Sequence, residues 1–258
     1  MDVAGAWTAL ATETMAKIDG TQRAQLATAA EWCADAIEAG GFAHAFGSGH
    51  SRIPVEELFP RYGSYPGFHP IVELSMTFHT QIAGANGQRQ AMFIERVEGL
   101  AEVILSNFNF KPTDILIVFS VSGASAVPIE MAMGARRRGL KVVAVTSLDH
   151  SSASESLHPS GSRLFDNADL VIDLCTPVGD AAVTVPGLDT PVGPLSTVAA
   201  VMIANEIKVQ TAALLQQRNA MPAVLTAAAV VGAERSRQLF DTAYSDHATR
   251  LAQTLAAT

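Results

Sequence analysis

Short apolar runs alternate with longer amphipathic stretches over most of the chain. The runs are rich in Ile, Val and Phe and have the length of buried strands, at residues 42–46, 69–74, 115–119, 141–146 and 169–174. Between them, apolar residues recur at spacings of three or four, which is typical of helices packed on a core. Strands that alternate with helices in this way predict an α/β fold with a doubly wound, mostly parallel sheet.

The amphipathic stretches also predict helices before and after the sheet. Residues 3–39 predict one helix, or two if Gly20 divides it, and residues 88–107 predict a single helix. Residues 195–215 predict a strong helix. Residues 176–194 are rich in Gly and Pro and lack periodicity, so we expect a loop, which at this length is often functional.

Length and composition fit one domain with a sizeable core. The chain has 258 residues, 48% of them hydrophobic, and we expect one domain over residues 1–215 with a C-terminal helical extension over 216–258. The net charge of −8 disfavours nucleic acid as a partner. No apolar run of membrane-spanning length and no signal peptide stand out, and the two cysteines form no pattern. We therefore expect a cytoplasmic protein without a membrane partner.

The pattern that stands out chemically occurs twice. Residues 48–56 and residues 122–130 both read Ser-Gly-x-Ser-x-[Ile/Val]-Pro-[Val/Ile]-Glu, and each copy follows a predicted strand. One copy alone is an ordinary turn between a strand and a helix. Two copies in a parallel sheet lie at the same carboxyl edge, where ligands bind, so we interpret them as two walls of one site.

Each copy has the features of an anion-binding turn. Glycine permits a sharp turn and a close approach of the backbone to a ligand. Ser51 and Ser125 are suited to be helix N-caps, and Pro54 and Pro128 to lie in the first helical turn. Free N–H groups, hydroxyls and the positive end of a helix dipole then converge, which favours phosphate. No zinc-type Cys/His spacing, Walker lysine or three-glycine dinucleotide fingerprint occurs, so no metal or cofactor is expected.

Three stretches resemble the sugar isomerase (SIS) domain family. They read Phe-Gly-Ser-Gly-His-Ser at 46–51, Ser-Val-Ser-Gly-Ala-Ser at 120–125 and Lys-Val-Val-Ala-Val-Thr-Ser at 141–147. The resemblance extends over roughly residues 5–215, and the layout is most similar to single-domain, phosphoheptose isomerase-like members. It implies a five-stranded, flavodoxin-like sheet in three α/β/α layers. It also implies a site for a phosphorylated sugar or amino sugar at the strand carboxyl ends, and a homodimer or homotetramer.

The resemblance also assigns the binding residues. It implies that the phosphate is held by the serines of the two turns, namely Ser48, Ser51, Ser120, Ser122 and Ser125. Gly49, His50 and Gly123 belong to the same turns, and Ser196 begins a helix in the way that the related etherases begin theirs.

Aldose–ketose isomerisation needs a base next to the carbonyl and an acid to return a proton. Glu57 is the first candidate, since the resemblance implies a glutamate after the first turn, with Glu56 open as the alternative. His79 is second, because its segment resembles that of arabinose-5-phosphate isomerases. Glu206 is third, because it lies on the apolar stripe of its helix, where an unpaired carboxylate is costly. Residues 195–215 contain no histidine, unlike the phosphoheptose isomerases, which speaks against heptose phosphate.

Several functions start from this chemistry. The first expectation is an aldose–ketose isomerase that works through an enediol or enediolate. A sugar-phosphate lyase or etherase, or an amino-sugar-phosphate deaminase, would begin with the same proton abstraction. A non-catalytic phosphosugar sensor is the alternative from another class.

Overall fold

The computed structural model describes residues 3–77 and 87–255. Its helices are α1 (Ala6–Thr21), α2 (Arg23–Glu38), α3 (Ile53–Leu58), α4 (Leu74–Thr77), α5 (Gly87–Ile94), α6 (Leu100–Leu105), α7 (Ala126–Arg137), α8 (Leu148–Ala153), α9 (Ser196–Gln217), α10 (Ala228–Val231) and α11 (Ala233–Thr254). Short 3-10 helices span Gly49–Arg52 and Leu164–Asn167. The strands are β1 (Ala43–Gly47), β2 (Phe68–Ile71), β3 (Ile115–Phe119), β4 (Lys141–Thr146), β5 (Leu170–Asp173), β6 (Ala181–Val183) and β7 (Val192–Pro194).

The main sheet has five parallel strands in the order β2-β1-β3-β4-β5. In the register, Ala43 lies opposite Ile115 and Gly47 opposite Phe119, so β1 and β3 end at the same level. The strand order reverses direction between β1 and β3, which makes this the topological switch point of the sheet. The predicted doubly wound, flavodoxin-like fold is confirmed.

Two cores flank the sheet and make the three layers. On one face, α1, α2, α3 and α9 pack on the strands through residues such as Ile18, Ile37 and Ile203. On the other face, α6 and α7 pack through residues such as Leu105 and Met131. β1 and β3 are buried along their whole length, which explains why β3 reads as a continuous apolar run and why His44 is the only strongly polar side chain in β1.

The C-terminal extension packs on the same body. Leu225 and Ala243 are fully buried and belong to the core that contains α2 and α9. Arg250 in α11 donates hydrogen bonds of 2.8 Å and 2.9 Å to the carbonyl oxygens of Ile37 and Gly41. These contacts fix α11 against the end of α2 and the start of β1.

Helix α9 is long and apolar enough to cross a membrane, by length and composition alone. The sequence patterns predicted no such run, because Glu206 and Lys208 interrupt it. Its buried residues, among them Ala199, Ile203 and Ile207, pack against the core on the α2 side of the sheet. The apolar character of α9 therefore has an explanation in the packing of this fold.

Three local predictions need correction. Residues 3–39 form two helices, as one of the two alternatives predicted, but they meet at Gln22 and Gly20 lies inside the first of them. Residues 176–194 contain the antiparallel hairpin β6–β7, which the lack of periodicity concealed because each strand has only three residues.

The single helix predicted over residues 88–107 is also wrong. It is broken between α5 and α6, where Gly99 adopts a left-handed φ of 81°. The apolar spacing that suggested continuity does not mark a buried face, since Phe93 is 72% exposed and Val97 41% exposed.

Candidate functional site

The two Ser/Gly turns meet in one cavity at the carboxyl edge of the sheet. They follow β1 and β3, the neighbouring strands at the switch point, so the topology alone brings them together. The cavity has a volume of about 370 Å³. We call it the serine cavity, and its wall includes most of the predicted binding residues, namely Ser48, Gly49, His50, Ser51, Ser120, Ser122, Ser125 and Ser196. Gly123, the remaining one, lies behind the wall.

The second turn is tightly packed. Gly123 has a φ of 56°, and a β-carbon there would lie 3.0 Å from the Ser151 hydroxyl oxygen. The Gly123 N–H donates to the Ser120 hydroxyl oxygen at 3.2 Å. Ser125 occupies the N-cap position of α7, a helix of 12 residues, as predicted, but its hydroxyl makes no capping hydrogen bond. That hydroxyl is directed into the serine cavity instead.

The first turn has a different shape. Gly49 has a φ of 55°, and the chain then enters the 3-10 helix Gly49–Arg52 before α3. The prediction that Ser51 is the N-cap of an α-helix is therefore wrong, because Ser51 lies within the 3-10 helix. This tight winding depends on Gly47, where a β-carbon would lie 2.2 Å from the Ser51 carbonyl oxygen. In the described residues, the Ser51 hydroxyl makes no hydrogen bond within the protein and remains available to a ligand.

A carboxylate that the sequence reasoning missed joins the two turns. Glu95 accepts a hydrogen bond of 2.9 Å from the Ser48 hydroxyl with Oε2 and one of 3.0 Å from the Ser125 hydroxyl with Oε1. Its carbonyl oxygen accepts the N–H of Val127, in the first turn of α7, at 2.9 Å. Glu95 reaches this position because α5 ends at Ile94. The twin pattern contains no sign of it, since Glu95 lies outside both copies.

The loop over residues 176–194 supplies another wall. Asp180 accepts hydrogen bonds from the N–H groups of Leu195, at 3.0 Å, and Ser196, at 2.8 Å, with Oδ1. Its Oδ2 accepts the Ser196 hydroxyl at 2.5 Å. Asp180 therefore caps the N-terminus of α9, and it adopts a φ of 68° in doing so. The expectation that this loop is functional stays a prediction, but the loop does contribute Asp180 and Pro194 to the serine cavity.

His150 is a third titratable group of the serine cavity, after Glu95 and Asp180, that the sequence reasoning missed. It lines the serine cavity from α8, and its Nδ1 accepts the N–H of Gly179 at 3.0 Å. A neutral ring with Nδ1 as acceptor carries its proton on Nε2, which makes it a hydrogen-bond donor. Its only signal in the sequence was its position after the Lys-Val-Val-Ala-Val-Thr-Ser stretch.

The charges around the serine cavity are unusual for an anion site. Glu95 and Asp180 are acidic, and no Lys or Arg is among the described residues that line it. Positive potential comes instead from the N-termini of α7 and α9, with partial charges of about half a unit each. In the ranges 3–77 and 87–255, no group of three or more His, Cys, Asp or Glu side chains is arranged to hold a metal ion.

Glu57 lies in a different cavity. That cavity has a volume of about 570 Å³ and is lined by Glu57, Arg61 and three aromatic rings, those of Tyr62, Phe240 and Tyr244. Asn205 donates to Oε1 of Glu57 at 3.1 Å, and Arg61 forms an ion pair with Oε2. Asn205 lies nine residues beyond Ser196 in α9, so about 13 Å of helix separates this carboxylate from the serine cavity.

The environment of Glu57 keeps it ionised. Burial acts to raise the pKa of its carboxyl group, but hydrogen bonds from Asn205 and Arg61 and the charge of Lys208 outweigh burial and lower the pKa overall. The Lys208 ammonium lies 3.9 Å from Oε1. Glu57 thus has the protonation state that a general base needs, but within one chain it is not placed beside the twin turns.

Glu206, a further predicted acid–base residue that the structure describes, lines neither the cavity of Glu57 nor the serine cavity. It is half-buried on α9 and accepts a hydrogen bond of 3.3 Å from Gln210. His79 lies outside the described residues. Their catalytic roles stay predictions.

Comparison with known proteins gives one family model and a set of relatives. A model described as SIS domain matches residues 6–147. A UPF0309 protein of Thermoanaerobacter pseudethanolicus is 35% identical over 222 residues, covering 84% of this chain and 87% of the relative. A UPF0309 protein of Listeria monocytogenes is 34% identical over 213 residues, covering 83% of this chain and 84% of the relative. Among solved structures, a phosphoheptose isomerase from Francisella tularensis is similar in fold, with a TM-score of 0.50 at 15% identity, over 80% of this chain and 95% of that one.

Proposed function

The chain belongs to the SIS domain family, and we propose that it binds a phosphorylated sugar in the serine cavity. The observation that carries this proposal is the convergence of two identical Ser/Gly patterns from the strands on either side of the switch point. Each brings serine hydroxyls to the same space, on a turn whose glycine is in the left-handed region. A phosphate group, with several acceptor oxygens, is the ligand that such a set of donors fits.

The second turn supplies the main phosphate contacts in this proposal. The Ser122 and Ser125 hydroxyls lie beside the N-terminus of α7, where the helix dipole favours an anion. Ser51 adds its hydroxyl from the first turn. The volume of about 370 Å³ is at the low end of the range for small-molecule sites and leaves room for a sugar beyond the phosphate.

For the reaction, we propose aldose–ketose isomerisation. A base removes the C2 proton of the aldose while an acid protonates the carbonyl oxygen, which gives an enediol. Return of that proton to C1, with loss of the C2 hydroxyl proton to the conjugate base of the acid, gives the ketose and restores both groups. His150 is suited to be the acid, because its Nε2 carries the proton when Nδ1 accepts the Gly179 N–H. Glu57 remains the predicted base, and its lowered pKa favours the ionised form.

One observation favours a second candidate function, a non-catalytic phosphosugar sensor. Neither Glu57 nor Glu206 lines the serine cavity, so among the described residues one chain does not bring the predicted glutamate bases to the bound sugar. A sensor needs the binding turns and no base. The predicted homodimer or homotetramer bears on this choice, because an isomerase would then take its base from a neighbouring chain.

The test is proton exchange measured by NMR. The protein is incubated in heavy water with a panel of sugar phosphates and amino-sugar phosphates, and the C2 proton signal is followed. Replacement of that proton by deuterium, with aldose and ketose both appearing, is expected for an isomerase. Binding without exchange for every compound supports the sensor. Absence of binding both to the wild type and to a variant without the Glu95 carboxylate contradicts the phosphosugar site.

Single and double variants test which residues bind the phosphate and which residue is the base. Ser122→Ala with Ser125→Ala is expected to abolish binding, whereas Ser152→Ala, at an exposed serine on α8, should leave it unchanged. Glu57→Gln is expected to bind but to lose exchange, and Glu56→Gln tests the alternative base. If Glu57→Gln retains full exchange, the base lies elsewhere, and loss in Glu56→Gln alone would identify Glu56.

A further inference from the structure

We propose that Glu95 is an internal competitor for the phosphate: its carboxylate occupies the position between the twin turns that the phosphate takes, and it must leave for the phosphate to bind. The inference rests on the proposed function and names how that site discriminates between ligands. The carboxylate is anchored at both ends, by the Ser48 hydroxyl at 2.9 Å and the Ser125 hydroxyl at 3.0 Å. Both serines belong to the twin pattern, one from each copy.

Each of the two serine hydroxyls can donate to only one acceptor. A serine hydroxyl has one proton and can donate one hydrogen bond at a time. While Ser48 and Ser125 donate to Glu95, neither can donate to a phosphate oxygen, which is also an acceptor. Both serines are buried, with 8% and 6% of their surface exposed, so no second orientation toward bulk solvent is open to them. Phosphate and the Glu95 carboxylate therefore exclude each other at these two donors.

Electrostatic repulsion also prevents phosphate and the Glu95 carboxylate from occupying the site together. A carboxylate and a phosphate that shared these donors would lie within a few ångströms of each other and would repel. The described residues that line the serine cavity include no Lys or Arg to offset this repulsion, and Asp180 adds a second negative charge. The partial charges of the helix N-termini are too small to neutralise both anions.

The Glu95 side chain can leave the turns while the segment that carries it, which Glu130 holds at Gly99, stays in place. In α5, Gly87 and Ala91 are the buried residues, while Met92 is 43% exposed and Phe93 72% exposed. The residues that follow Glu95 form the connection to α6 and are largely exposed. The backbone hydrogen bond from Val127 to the Glu95 carbonyl oxygen is the tether that keeps the side chain near α7. Rotation of the Glu95 side chain away from the turns exposes little apolar surface.

This arrangement makes Glu95 a residue that determines specificity. A ligand displaces the carboxylate only if it satisfies both hydroxyls and the α7 N-terminus at least as well. A phosphate dianion does so, whereas a neutral sugar does not. In the free protein, Glu95 accepts a hydrogen bond from each of the two buried hydroxyls, so neither of them is left unsatisfied.

The experiment measures the affinity of inorganic phosphate, and of a sugar phosphate from the panel above, by isothermal titration calorimetry. Glu95→Gln keeps the size of the side chain and removes its charge. It is expected to bind phosphate about tenfold more tightly than the wild type, a change of about 1.4 kcal/mol. Glu98→Gln is the matched control, because it removes the same charge from an exposed side chain only three residues away. It should change the affinity by less than about twofold.

A second variant, Glu95→Ala, removes the carboxylate entirely and should also tighten binding. Each variant is checked for folding by circular dichroism and thermal unfolding before the titration, and if one of them fails to fold, the other decides. Unchanged or weaker phosphate binding in the folded variant overturns the proposal. Glu95 would then either have no effect on binding or contact the sugar directly.

The titrations of the wild type and of the variants distinguish a failure of this proposal from a failure of the proposed function on which it rests. If the wild type binds the sugar phosphate, Ser122→Ala with Ser125→Ala abolishes that binding, and Glu95→Gln does not tighten it, only the role of Glu95 is wrong. If no phosphorylated compound binds to the wild type or to either Glu95 variant, the phosphosugar site itself is wrong. Binding that appears only in a Glu95 variant supports both.

Discussion

The two Ser/Gly turns share one pattern and form different structures. Their first glycines adopt the same backbone conformation, with φ values of 55° at Gly49 and 56° at Gly123. After that point the second turn leads directly into α7, with 12 residues, whereas the first leads into a 3-10 helix and then into α3, with six. The pattern therefore determines the turn and leaves the following helix open.

The difference has a local cause and a tertiary cause. The residue before the pattern is Gly47 in the first copy and Val121 in the second, and only glycine lets the Ser51 carbonyl come so close to the chain. Around Gly123, Ser151, Leu164 and Thr146 fill the space in which a β-carbon would lie, but nothing lies within 4 Å of that position at Gly49. The second turn is rigidly packed and the first is open, so we regard the second as the fixed part of the binding site.

The glutamates that end the two patterns show the same contrast. Glu130 accepts the Gly99 N–H with both carboxylate oxygens, at 3.0 Å and 2.8 Å, and thereby connects α7 to the start of α6. Glu56 forms an ion pair of 3.3 Å with Arg52 on the surface of its own short helix. The terminal glutamate of the second copy is bound to a distant segment, whereas that of the first copy pairs only within its own turn.

The largest expected effect is at Gly47. A β-carbon there would lie 2.2 Å from the Ser51 carbonyl oxygen, a contact with backbone that no side-chain rotation relieves. We expect Gly47→Ala to lower the free energy of unfolding by about 3 kcal/mol, measured by urea denaturation. Gly20→Ala in α1, with open space around it, is the control and should be neutral or stabilising. A loss below about 1 kcal/mol for Gly47→Ala would contradict our account of the first turn.

The paired glycines test the difference in packing directly. Alanine at either one must adopt a left-handed φ, which costs about 1 kcal/mol. At Gly123 the β-carbon also meets atoms at 3.0 Å, 3.1 Å and 3.2 Å, so we expect Gly123→Ala to cost about 2 kcal/mol and Gly49→Ala about 1 kcal/mol. Thermal unfolding of the two variants measures this. Equal losses would mean that the second turn is no more rigid than the first.

The terminal glutamates are expected to have smaller effects. Glu130→Gln weakens two charge-assisted hydrogen bonds to Gly99, and we expect a loss of about 1 kcal/mol. Glu56→Gln removes the charge of a carboxylate that is 45% exposed but keeps an acceptor for the more buried Arg52, and we expect a change of less than about 0.5 kcal/mol. The comparison is made by urea denaturation of both variants under identical conditions, and a larger loss for Glu56→Gln would reverse the contrast.

Much of the fold was predictable because its signals are local. The apolar run that forms β3 has the composition of a buried parallel strand, and the glycines that follow it permit the turn that the structure shows. Together with the alternation of strands and helices, these signals led to the correct sheet. The break between α5 and α6 was not predictable, because Phe93 and Val97 have helical spacing without the burial that such spacing usually indicates.

The sequence by itself determined the strands, the glycine turns and the meeting of both turns at one edge of the sheet. Each of these follows from backbone preferences and from the continuous burial of parallel strands. The tertiary structure alone decided which carboxylates lie beside those turns. Glu95 enters the serine cavity because Val127 binds its carbonyl oxygen, and Glu57 lies outside because Asn205, 148 residues away, holds it along α9. Such contacts depend on the packing of distant segments, and no local pattern encodes them.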